Sequence, residues 1–317
     1  MKSILLIIPY IGKWPLWFDA HLVSMAKNPT INWLFITDCE IPEKFPENVQ
    51  FIKTTFVELN QKINNSLDVK VVLSARKLCD IRPAFGKIFK EYIDGYHFWG
   101  FCDVDIIWGN IRKFITDDLL EEYDIISALE NMACGHFTIF KNHEKNLNIY
   151  KNDPDYKKVF EAPKHLRYDE IGLTNIITKL CEEGQTKILW DEKLLKNGIK
   201  SEVHQEYFLD RWLYENDSVY DLYDSNKKEY MYLHFINWKR TMKFCEVSYT
   251  DNPHQFYISY NGMHYQPHSK ISRILNDFKN RFNGYWVQQY WRYKKMRLNS
   301  LKKRINRKIE LAIKNII

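Results

Sequence analysis

Asp103 and Asp105 stand one residue apart, directly after the apolar run Phe98-Trp99-Gly100-Phe101-Cys102. Two carboxylates at the end of a hydrophobic strand come close together once the chain turns, and a buried carboxylate without a partner is costly. A hard divalent cation, Mn2+ or Mg2+, offsets that charge and can bridge to phosphate oxygens. The plainer reading of the spacing is a pair of turn-forming acids at a loop start, but a surface turn has no need of so apolar a lead. Two other apolar runs end in the same way. Trp33-Leu34-Phe35-Ile36-Thr37 closes on Asp38, and Ile4-Leu5-Leu6-Ile7-Ile8-Pro9 closes on Tyr10.

Continuous apolar runs of this length fit strands buried on both faces of a parallel sheet. Around them the pattern predicts helices over 16–27, 56–64 and 74–94, and a strand over 49–53. A fourth strand over 97–105 runs straight into the two acids, and Asp124-Ile125-Ile126-Ser127-Ala128 and Phe137-Thr138-Ile139-Phe140 predict further strands. Strands alternating with helices imply an α/β layered fold, a Rossmann-like, mostly parallel sheet flanked by helices. Ligands in such folds bind at the C-terminal ends of the strands, where Tyr10, Asp38, Asp103 and Asp105 all fall. Residues 251–268, with their Pro, Asn and His, read as a connector. The expected division is a catalytic body, 1–270, and a tail, 271–317.

As an ordered set, the IIPY strand, the Asp-ended second strand, KLCDIRPAFG at 77–86 and FCDVDIIWG at 101–109 resemble the bacterial GT-A-type glycosyltransferases of capsule, O-antigen and lipooligosaccharide biosynthesis. Residues 77–86 are similar to that family's KLCDxKPAxG stretch, and the likeness covers roughly 1–240. It implies a GT-A fold and a nucleotide-sugar donor, UDP-linked. Asp38 and Asp80, with Lys77 in the same stretch, would contact the nucleotide, and Pro9 and Tyr10 would flank the base. Asp103 would lie near ribose and metal, and Asp105 would be the direct metal ligand. Within Tyr232-Leu233-His234-Phe235-Ile236-Asn237-Trp238-Lys239-Arg240, the resemblance makes His234 a third metal ligand and Lys239 and Arg240 partners of the diphosphate. A core histidine and ordinary surface charge are the bland alternatives. It also assigns Asp169 or Glu170, in Arg167-Tyr168-Asp169-Glu170, as the base that deprotonates the acceptor hydroxyl if the enzyme inverts configuration. Acids in the first turn of a helix over 171–181 are favoured by its dipole in any case. Gly135-His136-Phe137-Thr138 would line the acceptor side.

The apolar and charged fractions, 45% and 27%, are those of a globular protein. The 15% of aromatic residues fill a core or line a sugar site. No apolar run reaches the roughly 18–20 residues that span a bilayer, and residues 1–9 read as a buried strand rather than a signal peptide. Cys39, Cys79, Cys102, Cys134, Cys181 and Cys245 form no CxxC pair, which points to reduced thiols in a cytoplasmic protein. The net charge of +6 divides unevenly. Residues 271–317 hold 13 Lys and Arg against Asp277 and Glu310, a balance of +11, which leaves 6 − 11 = −5 for the body.

Within the tail Leu298, Leu301, Ile305, Ile309, Ala312 and Ile316 form one helical stripe, with Lys302, Lys303, Arg304, Arg307, Lys308 and Lys314 on the other faces. Such a helix lies in the headgroup region of an anionic bilayer, each basic residue adding about 1 kcal/mol. Packing on its own domain or on a partner subunit is the alternative. Nucleic-acid binding is disfavoured by the acidic body and the lack of a recognition motif. The expected protein is therefore a hexosyltransferase held at the inner face of the cell membrane, acting on a lipid-linked oligosaccharide or polysaccharide. A sugar-1-phosphate nucleotidyltransferase would need a Gly-rich phosphate loop, for which Gly12-Lys13 is a poor substitute. A non-catalytic membrane-surface adaptor is the third reading.

Overall fold

The computed structural model describes residues 1–190 and 206–314. Eight strands precede residue 191: β1 (Ile4–Tyr10), β2 (Ile31–Thr37), β3 (Val49–Lys53), β4 (Phe98–Cys102), β5 (Ile106–Trp108), β6 (Ile125–Ser127), β7 (Phe137–Lys141) and β8 (Ile188–Trp190). Seven of them form the central sheet, in the order β3-β2-β1-β4-β7-β6-β8. It is rich in parallel pairs (β1–β2, β2–β3, β1–β4 and β6–β8), while β7 runs antiparallel to both its neighbours. The fold is mixed α/β, with helices on this sheet.

The apolar runs are continuous because each strand serves two cores at once. Leu5 and Ile7 of β1 join Leu34 and Ile36 of β2 and Trp99 and Phe101 of β4 in one layer. Ile4, Leu6 and Ile8 join Trp33, Phe35 and Phe98 in the other. Alternate side chains point to opposite faces of a strand, so both sets must be apolar.

Seven further strands follow: β9 (Trp212–Glu215), β10 (Ser218–Asp221), β11 (Glu229–Tyr230), β12 (Tyr232–His234), β13 (Phe244–Cys245), β14 (Gln255–Ser259) and β15 (Gly262–His264). All but β12 form a second sheet, β11-β10-β9-β14-β15-β13. The connector expected at 251–268 is thus wrong: β14 and β15 lie inside it, with Phe256, Ile258 and Met263 buried. Their turn-forming flanks hide strands of five and three residues. A third apolar cluster, including Trp212, Tyr214 and Phe256, packs this sheet against Trp17, Ala20 and Val23 and against Ile107 of β5. β12 pairs antiparallel with β5.

The single helix expected over 74–94 is instead four short pieces, Lys77–Ile81, Arg82–Ala84, Phe85–Ile88 and Lys90–Ile93. Pro83 cannot donate a helical hydrogen bond and forces the tighter turn at Arg82–Ala84. Two helices, Lys270–Asn283 and Tyr285–Lys314, close the chain. They break at Gly284, where a Cβ would collide with the Asn280 carbonyl. Leu298, Leu301 and Ile305 of the expected stripe are solvent-exposed. The side chains of Ile309, Ala312, Lys303, Arg304, Arg307, Lys308 and Lys314, and the whole of Ile316, lie outside what the structure describes. Among the described residues no helix is long and apolar enough to cross a membrane.

Candidate active site

An open cleft of about 280 Å³ lies where β1 and β4 end. Pro9, Tyr10 and Ile11 line one side, and Leu78, Cys79 and Arg82 line another. Asp103, Val104, Asp105 and Lys239 complete it. β4 stops at Cys102, so Asp103 and Val104 form a turn and Asp105 leads into β5. Two side chains of the helix region before β2 pin that turn. Trp17 Nε1 donates to the Val104 carbonyl at 2.8 Å, and His21 Nδ1 donates to the Ile106 carbonyl at 2.6 Å. Burial pushes the His21 imidazole down to about 4, against the pull of Ile106 and Asp105, which keeps it neutral.

The register of β5 with β12 sets His234 opposite Ile106, and Phe235 N donates to the Asp105 carbonyl at 3.1 Å. His234 thereby reaches the two acids, its Nε2 3.6 Å from Asp105 Oδ2 and 3.8 Å from Asp103 Oδ2. The ring stacks on His136 at a centroid distance of 4.0 Å, and His136 Nε2 shares a 3.0 Å hydrogen bond with the Tyr232 hydroxyl. One ligand-type atom each from Asp103, Asp105 and His234 lies within 4.8 Å of the others.

Among the described residues, Asp105 Oδ2 and both ring nitrogens of His234 are buried without an aligned hydrogen bond. A buried polar atom with no partner costs about 1–3 kcal/mol. Lys239 Nζ lies 3.0 Å from Asp105 Oδ2, at ion-pair distance but out of hydrogen-bond alignment. Burial works against the Asp105 charge, yet His234 and Lys239 outweigh it and hold the carboxyl far below the usual range. Two carboxylates and an imidazole at such separations could hold a metal ion.

The sequence reading passed over Arg82. Its guanidinium bonds Asp103 Oδ1, the Gly135 carbonyl and Asp169 Oδ2, the last at 2.9 Å. Burial opposes its charge, and Asp103, Cys79 and Asp169 around it raise its pKa above the ordinary value. A signal was present, because an arginine between Ile81 and Pro83-Ala84-Phe85 enters the core and must find acids there. Gly135 lets the group close up, since a Cβ there would sit 2.9 Å from Asp169 Oδ2.

Asp169 is buried, and Glu170 accepts from Arg167 Nε at 2.7 Å. Neither acid caps the helix that follows. The chain enters through Arg167 in the left-handed region and a π turn, Tyr168–Gly172, with no side-chain cap. Burial pushes the Asp169 carboxyl up to about 6, with Arg82 pulling the other way and Glu170 and Asp103 adding to the rise.

Several expected residues lie elsewhere. Lys77 and Asp80, expected at the nucleotide, are 1% and 0% exposed, pair with each other and do not line the cleft. Lys77 Nζ donates to Asp80 Oδ2 at 3.0 Å and to the Val159 carbonyl at 2.5 Å. Asp80 also accepts from the amides of Leu166 and Tyr168 at 3.0 and 2.9 Å. The pair thus positions the segment that carries Asp169. Asp38 lies beside the cleft rather than in its wall, accepting from Gly12 N at 2.7 Å. Pro9 and Tyr10 are in the wall, and Tyr10 stacks on Trp14 at 5.2 Å. Arg240, expected beside the diphosphate, lines a second hollow with Tyr207 and Lys243. The turn Trp238–Arg240 is a 3-10 helix, in which neighbouring residues point about a third of a turn apart.

The chain belongs to a family of unknown function (DUF6625), whose sequence model matches residues 6–267. No curated protein matches it. Among solved structures it has weak similarity to the glycosyltransferase GlyE of Streptococcus pneumoniae TIGR4, in a crystal structure of the enzyme and in one of its apo form. In both cases identity is 12% and the TM-score 0.33, and the match covers 64% of this chain and 49% of that one. The chain thus spans about half the length of that enzyme's chain.

Proposed function

We propose that this member of the family is a metal-dependent glycosyltransferase of the GT-A kind. It would move a hexose, galactose or glucose, from a UDP-sugar to a lipid-linked oligosaccharide or polysaccharide at the cytoplasmic face of the membrane. The observation that supports this reading most is the convergence of Asp103, Asp105 and His234 beside the open end of β1 and β4, with three buried polar atoms left without hydrogen bonds.

Glycosyl transfer passes through an oxocarbenium-like state while charge builds on the departing diphosphate. Asp103, Asp105 and His234 would hold Mn2+ or Mg2+, which when bound would supply Lewis-acid stabilisation of that leaving group. Lys239, whose side chain is 40% exposed and ion-paired to Asp105, can turn to the diphosphate and add a second positive charge. Pro9 and Tyr10 provide an apolar wall for the base. Arg82 fixes Asp103 and Asp169 relative to each other. In an inverting course Asp169 receives the acceptor proton, and a carboxyl near 6 suits that task at neutral pH. Glu170 is the other candidate, and a retaining course needs neither.

The test is a panel of nucleotide sugars incubated with the full chain and Mn2+ or Mg2+, following release of nucleoside diphosphate. Turnover should stop with chelator and return with metal. Activity indifferent to chelation, or retained in Asp105→Ala, rules the reading out.

A further inference from the structure

The helix Lys270–Asn283 is amphipathic, and its polar side faces the protein. Asn276 Nδ2 and Asn280 Nδ2 both donate to the Tyr207 carbonyl, at 2.7 and 2.9 Å, and Asp277 accepts from the Tyr223 hydroxyl at 3.4 Å. No residue of the helix is buried. Ile271, Ile274, Leu275, Phe278 and Phe282, at steps of 3, 1, 3 and 4, form one apolar face, and every one of them is more than half exposed. Helical geometry sets Lys279 on one flank of that face and Lys270 and Arg281 on the other.

Behind Lys279, between the helix and the body, lies a hollow lined by Arg240, Lys243 and Lys279 and by amides that include Asn276 and Asn280. Among the described residues no carboxylate lines it, and none of the three cations forms an ion pair. Cations with no acid to meet and amide donors suit a phosphate group. A contiguous apolar face edged by basic residues suits the acyl boundary beneath such groups. Lys279 belongs to both. The balance of +11 over 271–317 repels a second copy of the same tail and favours an anionic surface.

We infer that this face is a membrane-surface binding site. The helix Lys270–Asn283 lies in the headgroup plane of an anionic phospholipid bilayer, its five apolar side chains in the acyl boundary. The hollow of Arg240, Lys243 and Lys279 receives a lipid phosphate. The inference goes beyond sugar transfer and stands without it.

The experiment is flotation of the full chain with vesicles of phosphatidylcholine alone and of phosphatidylcholine mixed with phosphatidylglycerol. Binding should require phosphatidylglycerol and weaken with salt. Phe278→Glu with Phe282→Glu should lower the partition coefficient at least about tenfold, and Arg240→Gln and Lys243→Gln about fivefold each. These side chains are exposed, and an unchanged Tm shows that the variants fold. Equal binding to neutral vesicles, or unchanged binding by the double Phe variant, overturns the inference. So does displacement by millimolar inorganic phosphate, which would make the hollow a soluble-anion site. Self-association that the Phe variant abolishes, without vesicle binding, overturns it in favour of a protein interface. Transfer to a water-soluble acceptor should be unchanged in the Phe variant, so failure here and failure of the catalytic reading are separate results.

Discussion

Asp210, His264 and His268 bring three ligand-type atoms as close together as Asp103, Asp105 and His234 do. By donor identity and distance alone, either cluster could hold a metal ion, as could Asp80, His165 and Asp169. Their hydrogen bonds separate them. Asp210 Oδ1 takes bonds from His268 Nδ1 at 2.7 Å and Ser259 Oγ at 3.2 Å, and Oδ2 accepts from His268 N at 2.6 Å. His264 shares Nε2 with Ser259 Oγ at 3.0 Å and Nδ1 with the Gln266 carbonyl at 2.6 Å. Burial works against the Asp210 charge, but bonds from His264 and His268 bring the carboxyl down to about 2. These bonds tie the end of β15 to the start of the helix Lys270–Asn283. At Asp105 Oδ2 and the His234 ring no aligned hydrogen bond is made among the described residues, and the ion pair to Lys239 is the close partner. Ligand-like spacing is common wherever acids and histidines satisfy each other.

The sharpest way to break this comparison is to truncate each carboxylate in turn. Asp105→Ala should lower metal-dependent turnover by roughly 10²–10³ or more with little loss of stability. Asp210→Ala should leave turnover per folded molecule unchanged and cost about 3 kcal/mol, read by denaturant titration. If Asp210→Ala instead loses turnover at constant stability, the two clusters have been assigned the wrong way round. Arg82→Ala should combine both effects. It leaves Asp103 and Asp169 facing each other without their common cation, so stability should fall by about 3 kcal/mol and activity with it.

Asp169 offers a pH-resolved test. It faces Arg82, with His165 and Glu170 beside it. Only its ionised form accepts a proton, so an inverting enzyme should gain activity with one-proton dependence as pH rises through about 6, and Asp169→Asn should remove that limb. The stability effect has the opposite sign. A folded-state value above the ordinary one, about 3.9, means the folded chain holds the proton more tightly. Stability should therefore fall as pH rises from about 4 to about 6, and Asp169→Asn should flatten that slope. The smallest effect is expected from Gly135→Ala, whose Cβ would press on Asp169 Oδ2 at 2.9 Å. A cost of about 1 kcal/mol and a several-fold loss of turnover would be measured in the same assays.

What the residues alone determined was local. Runs such as Ile4-Leu5-Leu6-Ile7-Ile8 allow one outcome, a strand buried on both sides, and the acids that end such runs must emerge at one edge of the sheet. The excess of charge in the last 47 residues is likewise a matter of counting. What the tertiary structure decided was which groups meet. The β5–β12 register carries His234 to Asp105 across more than a hundred residues, and no periodicity reports that pairing. The core takes in Lys77 and Asp80 as a pair while Arg82, two residues on from Asp80, reaches Asp103 and Asp169. Short strands among Pro, Asn and His leave too few residues for a pattern, so β14 and β15 exist only through their neighbours. Periodicity records whether a side chain is buried; its partner is set by long-range packing, which a linear spacing does not contain.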